Sequence, residues 1–85
     1  MEAFDYTIQD PVGLHARPAG LLVRKAQEFS SDITLSCNGK SANLKKLLAV
    51  MGLGVRQGDT VTVTVEGAQE KEHADALHSF FKEHV

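Results

Sequence analysis

The sequence has little of several features that define large classes of protein. Its 85 residues include a single cysteine, which excludes an internal disulfide framework. No apolar run approaches the length of a membrane span, and no charged segment followed by an apolar one marks a signal peptide. The formal net charge is -2, whereas nucleic-acid-binding proteins normally carry a basic excess. We therefore expect a cytoplasmic protein that neither inserts into a membrane nor binds nucleic acid.

Linkers, internal repeats and low-complexity segments are also absent from the sequence. A chain of 85 residues has room for one domain and not for two. Hydrophobic residues make up 42% of the chain, which is enough for a small core, and charged residues make up 24%, which suits a solvated surface. The prediction is a single domain over residues 1–85.

The spacing of apolar residues predicts seven secondary-structure elements. Apolar and polar residues alternate over 2–9, 32–37 and 40–43, and in a threonine–valine repeat that starts at Thr60, which predicts four strands. Helical spacing predicts helices over 16–28, 44–53 and 69–84. Asn38-Gly39 indicates a tight hairpin between the second and third strands, and Asn43 is the predicted N-cap of the second helix. The order β-α-β-β-α-β-α favours an α+β two-layer sandwich.

Gly13-Leu14-His15-Ala16-Arg17-Pro18, at the start of the first predicted helix, is the segment most suggestive of chemistry. The first turn of a helix has unpaired backbone N–H groups and an electropositive dipole end, so it attracts anions. His15 supplies a nucleophilic imidazole there, and Arg17 supplies a planar set of donors suited to phosphate oxygens. These residues indicate a phosphate-handling site, and an ordinary polar loop histidine is the alternative that they leave open.

The run GLHARPAG, residues 13–20, resembles the active-site signature of the histidine-containing phosphocarrier (HPr) family of the bacterial sugar phosphotransferase system. A second block, residues 44–55 followed by Gln57-Gly58-Asp59, resembles that family's second helix and the turn after it, at the family's spacing. The resemblance covers the whole chain. It implies a four-stranded antiparallel sheet in the spatial order 1-4-2-3, with three helices covering one face.

The resemblance also implies that the chain is a phosphoryl carrier rather than an enzyme. His15 would accept a phosphoryl group on Nδ1 from Enzyme I and pass it to a sugar-specific Enzyme IIA. Arg17 and the backbone at Ala16 would stabilise that phosphoryl group. The chain is expected to act as a monomer without a cofactor, and the identity of the sugar is not encoded in it.

The second predicted helix carries more apolar residues than one helix face can bury. We therefore predict an exposed apolar patch near His15, rimmed by positive charge. The patch consists of Leu21, Leu47, Leu48 and Met51, and its rim of Arg17, Arg24, Lys45 and Lys46. The resemblance implies that Enzyme I and Enzyme IIA dock on this surface. Its predicted partner-binding residues are Gly20, Leu21, Arg24, Lys46, Leu47, Leu48 and Met51.

Lys46 departs from the pattern of the family it resembles. Many Gram-positive members carry a serine at this position, which a regulatory kinase phosphorylates. A lysine cannot be phosphorylated by such a kinase, so the chain is expected to lack this control unless a neighbouring serine such as Ser41 substitutes. A role as a co-repressor partner in catabolite repression is put in doubt for the same reason.

The other side chains with reactive chemistry are interpreted as structural. Cys37 lies on an alternating strand and is predicted to be buried. His73, His78 and His84 do not have the spacing of a metal site, so we interpret them as solvated residues of the last helix and expect no metal. Gln9 and Asp10 lie near the His15 loop in sequence and are assigned no role.

Three other functions remain open at this point. A regulatory binding module is one, although the presence of His15 argues against a purely regulatory role. A carrier of a nitrogen-regulation or dihydroxyacetone branch would use the same chemistry with different partners. A small hydrolase that uses His15 is disfavoured, because no general base for water is visible in the sequence.

Overall fold

The computed structural model describes residues 1–85, which form four strands and three helices. In chain order these are β1 (Glu2–Thr7), α1 (Ala16–Ala26), β2 (Asp32–Cys37), β3 (Lys40–Asn43), α2 (Leu47–Met51), β4 (Thr60–Glu66) and α3 (Glu70–His84). All the strands pair antiparallel in one sheet with the order β1-β4-β2-β3. The predicted α+β fold, with this element order and strand order, is confirmed.

The two faces of the sheet differ in polarity, because successive side chains of a strand point to opposite sides. In β4, Val61, Val63 and Val65 are fully buried beneath the helices. The intervening threonines face the other side, where the Thr62 hydroxyl donates a hydrogen bond of 2.7 Å to the Asp5 carboxylate. One face of the sheet therefore belongs to the core, and the other is polar.

The core lies between the apolar face of the sheet and the three helices. α3 packs on β1 and β4, and α1 packs on both α2 and α3. The largest fully buried side chains of the core are Phe81, Ile8, Leu22, Leu35, Leu44 and Leu77. Burial of each such side chain stabilises the fold by about 1.5–3 kcal/mol. Cys37 is buried in this core, as predicted.

The second helix is shorter than predicted and begins at Leu47 instead of residue 44. The Asn43 side chain accepts a hydrogen bond from the Lys45 N–H at 2.9 Å, and the Asn43 carbonyl accepts one from the Lys46 N–H at 3.0 Å. These bonds form a turn before the helix, and Lys46, with an extended backbone, becomes the N-cap. The prediction of Asn43 as the N-cap is therefore wrong, because its side chain stabilises a turn instead.

Two other elements end earlier than their patterns suggest. β1 stops at Thr7, because the N–H of Ile8 donates to the Asp59 carbonyl and that of Gln9 to the Val85 carbonyl. α1 stops at Ala26, and the N–H of Phe29 donates back to the Ala26 carbonyl at 3.1 Å in a tighter turn. None of the three helices combines the length and apolar character that crossing a membrane requires.

The interpretation of the three α3 histidines as solvated is wrong for His73. This residue is buried, its Nδ1 lies 2.7 Å from the Ser31 hydroxyl oxygen, and its ring stacks on Phe29 with centroids 4.4 Å apart. His73, Leu77 and Phe81 follow one another at intervals of four residues, so they share the core-facing side of the helix. His78 is half-buried against the Phe4 ring, and His84 is exposed.

Candidate functional site

His15 is the N-cap residue of α1. Its backbone is extended, with φ -88° and ψ -179°, and its carbonyl accepts the first helical hydrogen bond from the Ala19 N–H at 3.0 Å. Its side chain makes no capping bond to the helix and is 37% exposed. The imidazole is therefore accessible at the positive end of the helix dipole.

Gly13 fixes the loop that carries His15. Its φ is +77°, and a Cβ atom at this position would lie 2.7 Å from the Val55 carbonyl oxygen and 2.8 Å from the Arg56 Cα. The next residue, Leu14, donates its N–H to the same Val55 carbonyl at 3.1 Å. Only glycine combines this conformation with so close an approach. The segment at residues 55–56 thus determines where the His15 loop lies.

The first turn of α1 offers backbone donors beside His15. An α-helix has no internal acceptors for its first N–H groups, and Pro18 has no N–H to offer. Because the His15 side chain does not cap the helix, the amides of Ala16 and Arg17 are the donors that this turn presents. Arg17 also brings a guanidinium side chain to this end of the helix, where the residue lines the same cavity as His15.

A shallow open cavity of about 310 Å³ lies in front of His15 and Arg17. It is lined by Asp10, His15, Arg17, Pro18, Leu21, Glu83 and His84. The last two residues come from the C-terminal end of α3, so α1, the preceding loop and α3 together form its walls. Sequence reasoning missed Glu83 and His84, because no local pattern connects residues so distant in sequence from His15.

Asp10 is the carboxylate that approaches the His15 ring. Its Oδ2 atom lies 3.6 Å from His15 Nε2, and its Oδ1 atom accepts a hydrogen bond from the Val12 N–H at 2.9 Å. The only sequence signal for this contact was that Asp10 precedes the loop, which is too weak to assign a role.

The predicted apolar patch is exposed. Leu21, Leu47, Leu48 and Met51 are all accessible, and Leu48 is the most exposed at 86%. The remaining apolar residues of the segment, Leu44, Val50 and Leu53, are buried in the core. This division confirms that the second helix buries only one side. The opposite side of α2, with Leu47, Leu48 and Met51, is exposed beside α1.

The predicted partner-binding residues of α1, Gly20, Leu21 and Arg24, share one side of the helix with Arg17. Arg17, Gly20, Leu21 and Arg24 are spaced at three and four residues, so they form a stripe along the helix. A Cβ atom at Gly20 would meet nothing within 4 Å, so this position is an open part of the stripe. His15 lies at the N-terminal end of this stripe, and α2 packs beside it.

Lys45 does not belong to the positive rim as predicted. Its Nζ donates a hydrogen bond of 2.6 Å to the Phe29 carbonyl, and its own carbonyl accepts one of 3.0 Å from the Gln27 side chain. Lys45 therefore connects the segment before α2 to the C-terminal end of α1. The exposed cations beside the patch are Arg17, Arg24 and Lys46.

Comparison with known proteins extends these observations. Residues 3–83 match the sequence family described as "PTS HPr component phosphorylation site". The chain is 45% identical over 83 residues to the phosphocarrier protein HPr of Lysinibacillus sphaericus, and the alignment covers 98% of this chain and 94% of that protein.

Solved structures of phosphocarriers have the same fold. The histidine-containing phosphocarrier protein of a mycoplasma gives a TM-score of 0.93 at 35% identity, covering 96% of this chain and 93% of that one. HPr of Thermoanaerobacter tengcongensis gives 0.92 at 38% identity, covering 98% and 93%. A dimer of the latter gives 0.77 at 38% identity, covering 98% and 95%.

The family match and the aligned relatives extend over almost the whole chain. The match spans residues 3–83, and the identity to the curated relative extends over nearly the full length of both proteins. The chain therefore belongs to the HPr family of the phosphotransferase system, whose members carry phosphoryl groups and are not catalytic enzymes.

Proposed function

We propose that His15 is the residue on which this phosphocarrier holds the phosphoryl group, which it takes from Enzyme I and passes to an Enzyme IIA. The observation that carries the proposal is the uncapped, accessible imidazole at the N-cap of α1. A helix N-terminus with free amides is an anion site, so the nucleophile and the place for the phosphoryl oxygens adjoin.

The transfer needs no reactant beyond the two proteins. The lone pair of His15 Nδ1 attacks the phosphorus atom, and an N–P bond forms while the bond from phosphorus to the donor breaks. The donor keeps that electron pair, and the proton on Nε2 stays in place. In the second step a nucleophile of Enzyme IIA attacks the same phosphorus, and the N–P electron pair returns to His15.

Arg17 and the first-turn amides of Ala16 and Arg17 stabilise the charge during both steps. Phosphoryl transfer spreads negative charge over the three outer oxygens, so catalysis depends mainly on positioned donors and cations. The guanidinium presents a planar fork of N–H donors that suits these oxygens. The backbone donors are fixed by the helix, so they need no rearrangement when the phosphoryl group arrives.

The exposed side of α1 and α2 is the proposed docking surface for both partners. It comprises Gly20, Leu21, Arg24, Lys46, Leu47, Leu48 and Met51. The apolar patch provides area to bury, and methionine adapts to partners of different shape. Arg24 and Lys46 would speed encounter with acidic partners and make the rate depend on salt.

The absence of a serine at position 46 separates this carrier from the regulation of many Gram-positive relatives. Lys46 is the N-cap of α2 and cannot accept a phosphoryl group from a serine kinase. We propose that the chain works as one domain, as a monomer and in the cytoplasm. Dimers are known for some relatives, so the oligomeric state is to be measured under the conditions of the transfer assay.

Intact-mass spectrometry tests the proposal. The chain is mixed with a bacterial Enzyme I and phosphoenolpyruvate, with His15→Ala and His78→Ala in parallel. We expect one acid-labile phosphoryl adduct on the wild type and on His78→Ala, and none on His15→Ala. A folded wild type that gains no phosphate from an active Enzyme I would contradict the proposal.

A second assay separates transfer from binding alone. A pull-down that retained the same partners with wild type and His15→Ala, without any adduct, would favour a regulatory binding module. Replacing the sugar-branch Enzyme I with one from a nitrogen-regulation or dihydroxyacetone branch would show which donor the chain serves.

A further inference from the structure

We infer that Asp10 is a positioning residue for phosphoryl transfer, which accepts the Nε2 proton of His15 and so leaves Nδ1 as the free nucleophile. The inference rests on the proposed function of His15. It adds a residue from outside the GLHARPAG segment, and it explains why one ring nitrogen reacts and the other does not.

The contact is between the Asp10 carboxylate and Nε2 of His15, the ring nitrogen that does not attack phosphorus in the proposed transfer. Asp10 Oδ2 lies 3.6 Å from His15 Nε2, slightly longer than a hydrogen bond. The Asp10 side chain is only 26% exposed, and the His15 side chain is 37% exposed. Hydrogen bonds of reacting groups are often long in the free protein and shorten when the partner binds.

Asp10 is held in place by three hydrogen bonds within the loop and to the end of the chain. Its Oδ1 atom accepts from the Val12 N–H at 2.9 Å, and its carbonyl accepts from the Gly13 N–H at 2.9 Å. Its own N–H donates to the Val85 carbonyl at 3.1 Å. With Oδ1 engaged by the turn, Oδ2 is the oxygen directed at His15.

The chemistry of the two groups decides the tautomer. A neutral imidazole has one N–H donor and one lone-pair acceptor, and an ionised carboxylate can only accept. Asp10 therefore favours the tautomer that carries its proton on Nε2. A carboxylate that orients a histidine through its second nitrogen is a common arrangement in proteins, because it fixes both the tautomer and the ring. The same carboxylate offsets the positive charge that the ring gains when Nδ1 attacks phosphorus.

Glu83 does not substitute for Asp10. It lines the same cavity, but its carboxylate lies 3.8 Å from Nε2 of its neighbour His84. The two carboxylates in the cavity thus serve different histidines, and Asp10 is the one paired with His15.

Asp10→Asn tests the inference with little change to the loop. The asparagine keeps an oxygen to accept the Val12 N–H, and asparagine favours such turns. Its amide nitrogen then replaces Oδ2, and a donor faces Nε2 where an acceptor was. The preferred tautomer should reverse, and the proton should move to Nδ1, where it blocks the nucleophile.

Two readouts are measured on Asp10→Asn, with Asp75→Asn on the exposed side of α3 as the matched control. The ¹⁵N shifts of His15, taken where the ring is neutral, report the tautomer. We expect Nε2–H in the wild type and in Asp75→Asn, and a shift toward Nδ1–H in Asp10→Asn. The initial rate of phosphorylation by Enzyme I should fall about tenfold in Asp10→Asn alone, as the loss of one charged hydrogen bond predicts.

The outcomes separate this inference from the proposed function. An unchanged tautomer and rate in Asp10→Asn, with wild type phosphorylated on His15, would overturn the role of Asp10 and leave the proposed function standing. A wild type that never gains phosphate would overturn both. If Asp10→Asn does not fold, Asp10→Ser replaces it, since its hydroxyl can accept the Val12 N–H but is too short to reach Nε2.

Discussion

The Ser31 hydroxyl oxygen and His73 Nδ1 lie 2.7 Å apart, and both residues are buried. Ser31 precedes β2 and His73 lies in the first half of α3, so the hydrogen bond joins the sheet layer to the helix layer. The Phe29 ring covers the imidazole at a centroid distance of 4.4 Å. The bond leaves neither polar side chain without a partner in the core.

Removing the hydroxyl should therefore cost stability. Ser31→Ala leaves His73 Nδ1 buried without a partner, and the free energy of unfolding should fall by about 1–3 kcal/mol. Ser30→Ala, at the exposed neighbouring position, is the matched control and should change it by less than about 0.5 kcal/mol. Urea unfolding measures both. Equal effects of the two substitutions would show that the hydrogen bond contributes nothing.

Two glycine-to-alanine substitutions should have opposite effects on stability. At Gly13 a Cβ meets the Val55 carbonyl at 2.7 Å in a backbone conformation with positive φ, so Gly13→Ala should cost about 2 kcal/mol or more. At Gly20 the space is open and the residue is helical. Gly20→Ala should therefore stabilise the protein by about 0.5–1 kcal/mol. Thermal unfolding gives the sign of each effect, and a loss at both positions would contradict the distinction.

Alanine substitutions at Leu48 and Leu44 distinguish an effect on partner binding from an effect on stability. Leu48 is 86% exposed, so Leu48→Ala should weaken binding to Enzyme I severalfold and change the free energy of unfolding by less than about 0.5 kcal/mol. Leu44 is fully buried, so Leu44→Ala should cost about 2–5 kcal/mol of stability. Titration calorimetry and urea unfolding measure the two properties. Unchanged affinity in Leu48→Ala would remove this residue from the docking surface.

Stability should fall at alkaline pH because of Cys37. Burial raises the pKa of its thiol above the usual range, and the negative charge of Asp59 adds to the increase. As pH rises past the usual thiol pKa, the unfolded chain releases the proton while the folded chain keeps it, so unfolding becomes more favourable. Between about pH 7 and pH 10 the wild type should lose more stability than Cys37→Ala. Parallel curves for the two proteins would contradict this.

Lys46→Ser should create the regulatory phosphorylation site that we propose the chain lacks. A serine at the N-cap of α2 would resemble the target of the regulatory kinase of Gram-positive relatives. We expect that kinase to add phosphate to Lys46→Ser and to leave the wild type unmodified, as seen by mass spectrometry. Modification of the wild type at Ser41 would show instead that another serine replaces it.

Much of the fold could be predicted because its signals are local. Each signal joins residues that are close in sequence. Examples are the alternating valines of β4, the Asn38-Gly39 turn and the apolar side of α1. The start of α2 could not be predicted, because the Asn43 side chain can cap a helix or stabilise a turn, and only tertiary packing decides between them. The burial of His73 could not be predicted either, because its partners, Ser31 and Phe29, are about forty residues away in sequence.

The candidate site shows the same division. His15, Ala16 and Arg17 could be proposed from one short segment, because the proposed nucleophile and its anion site occupy consecutive positions. The cavity is also lined by Asp10, Glu83 and His84. Glu83 and His84 belong to it because the C-terminal end of α3 lies beside the His15 loop, and no local sequence pattern indicates that contact. The charge of Lys45 alone predicts a place in the positive rim, because its hydrogen bond to the Phe29 carbonyl cannot be deduced from sequence.

The Val85 carbonyl accepts hydrogen bonds from the N–H groups of both Gln9 and Asp10, at 2.7 and 3.1 Å. A purification tag or fused protein attached after Val85 would therefore extend from the protein beside the cavity of His15. It would crowd the cavity at which we propose that the phosphoryl group is transferred. The N-terminal ammonium of Met1 pairs with the Glu70 carboxylate, at the opposite end of α3. An extension before Met1 would therefore project from that end, away from the cavity. Fusions intended for transfer assays should be made at that end.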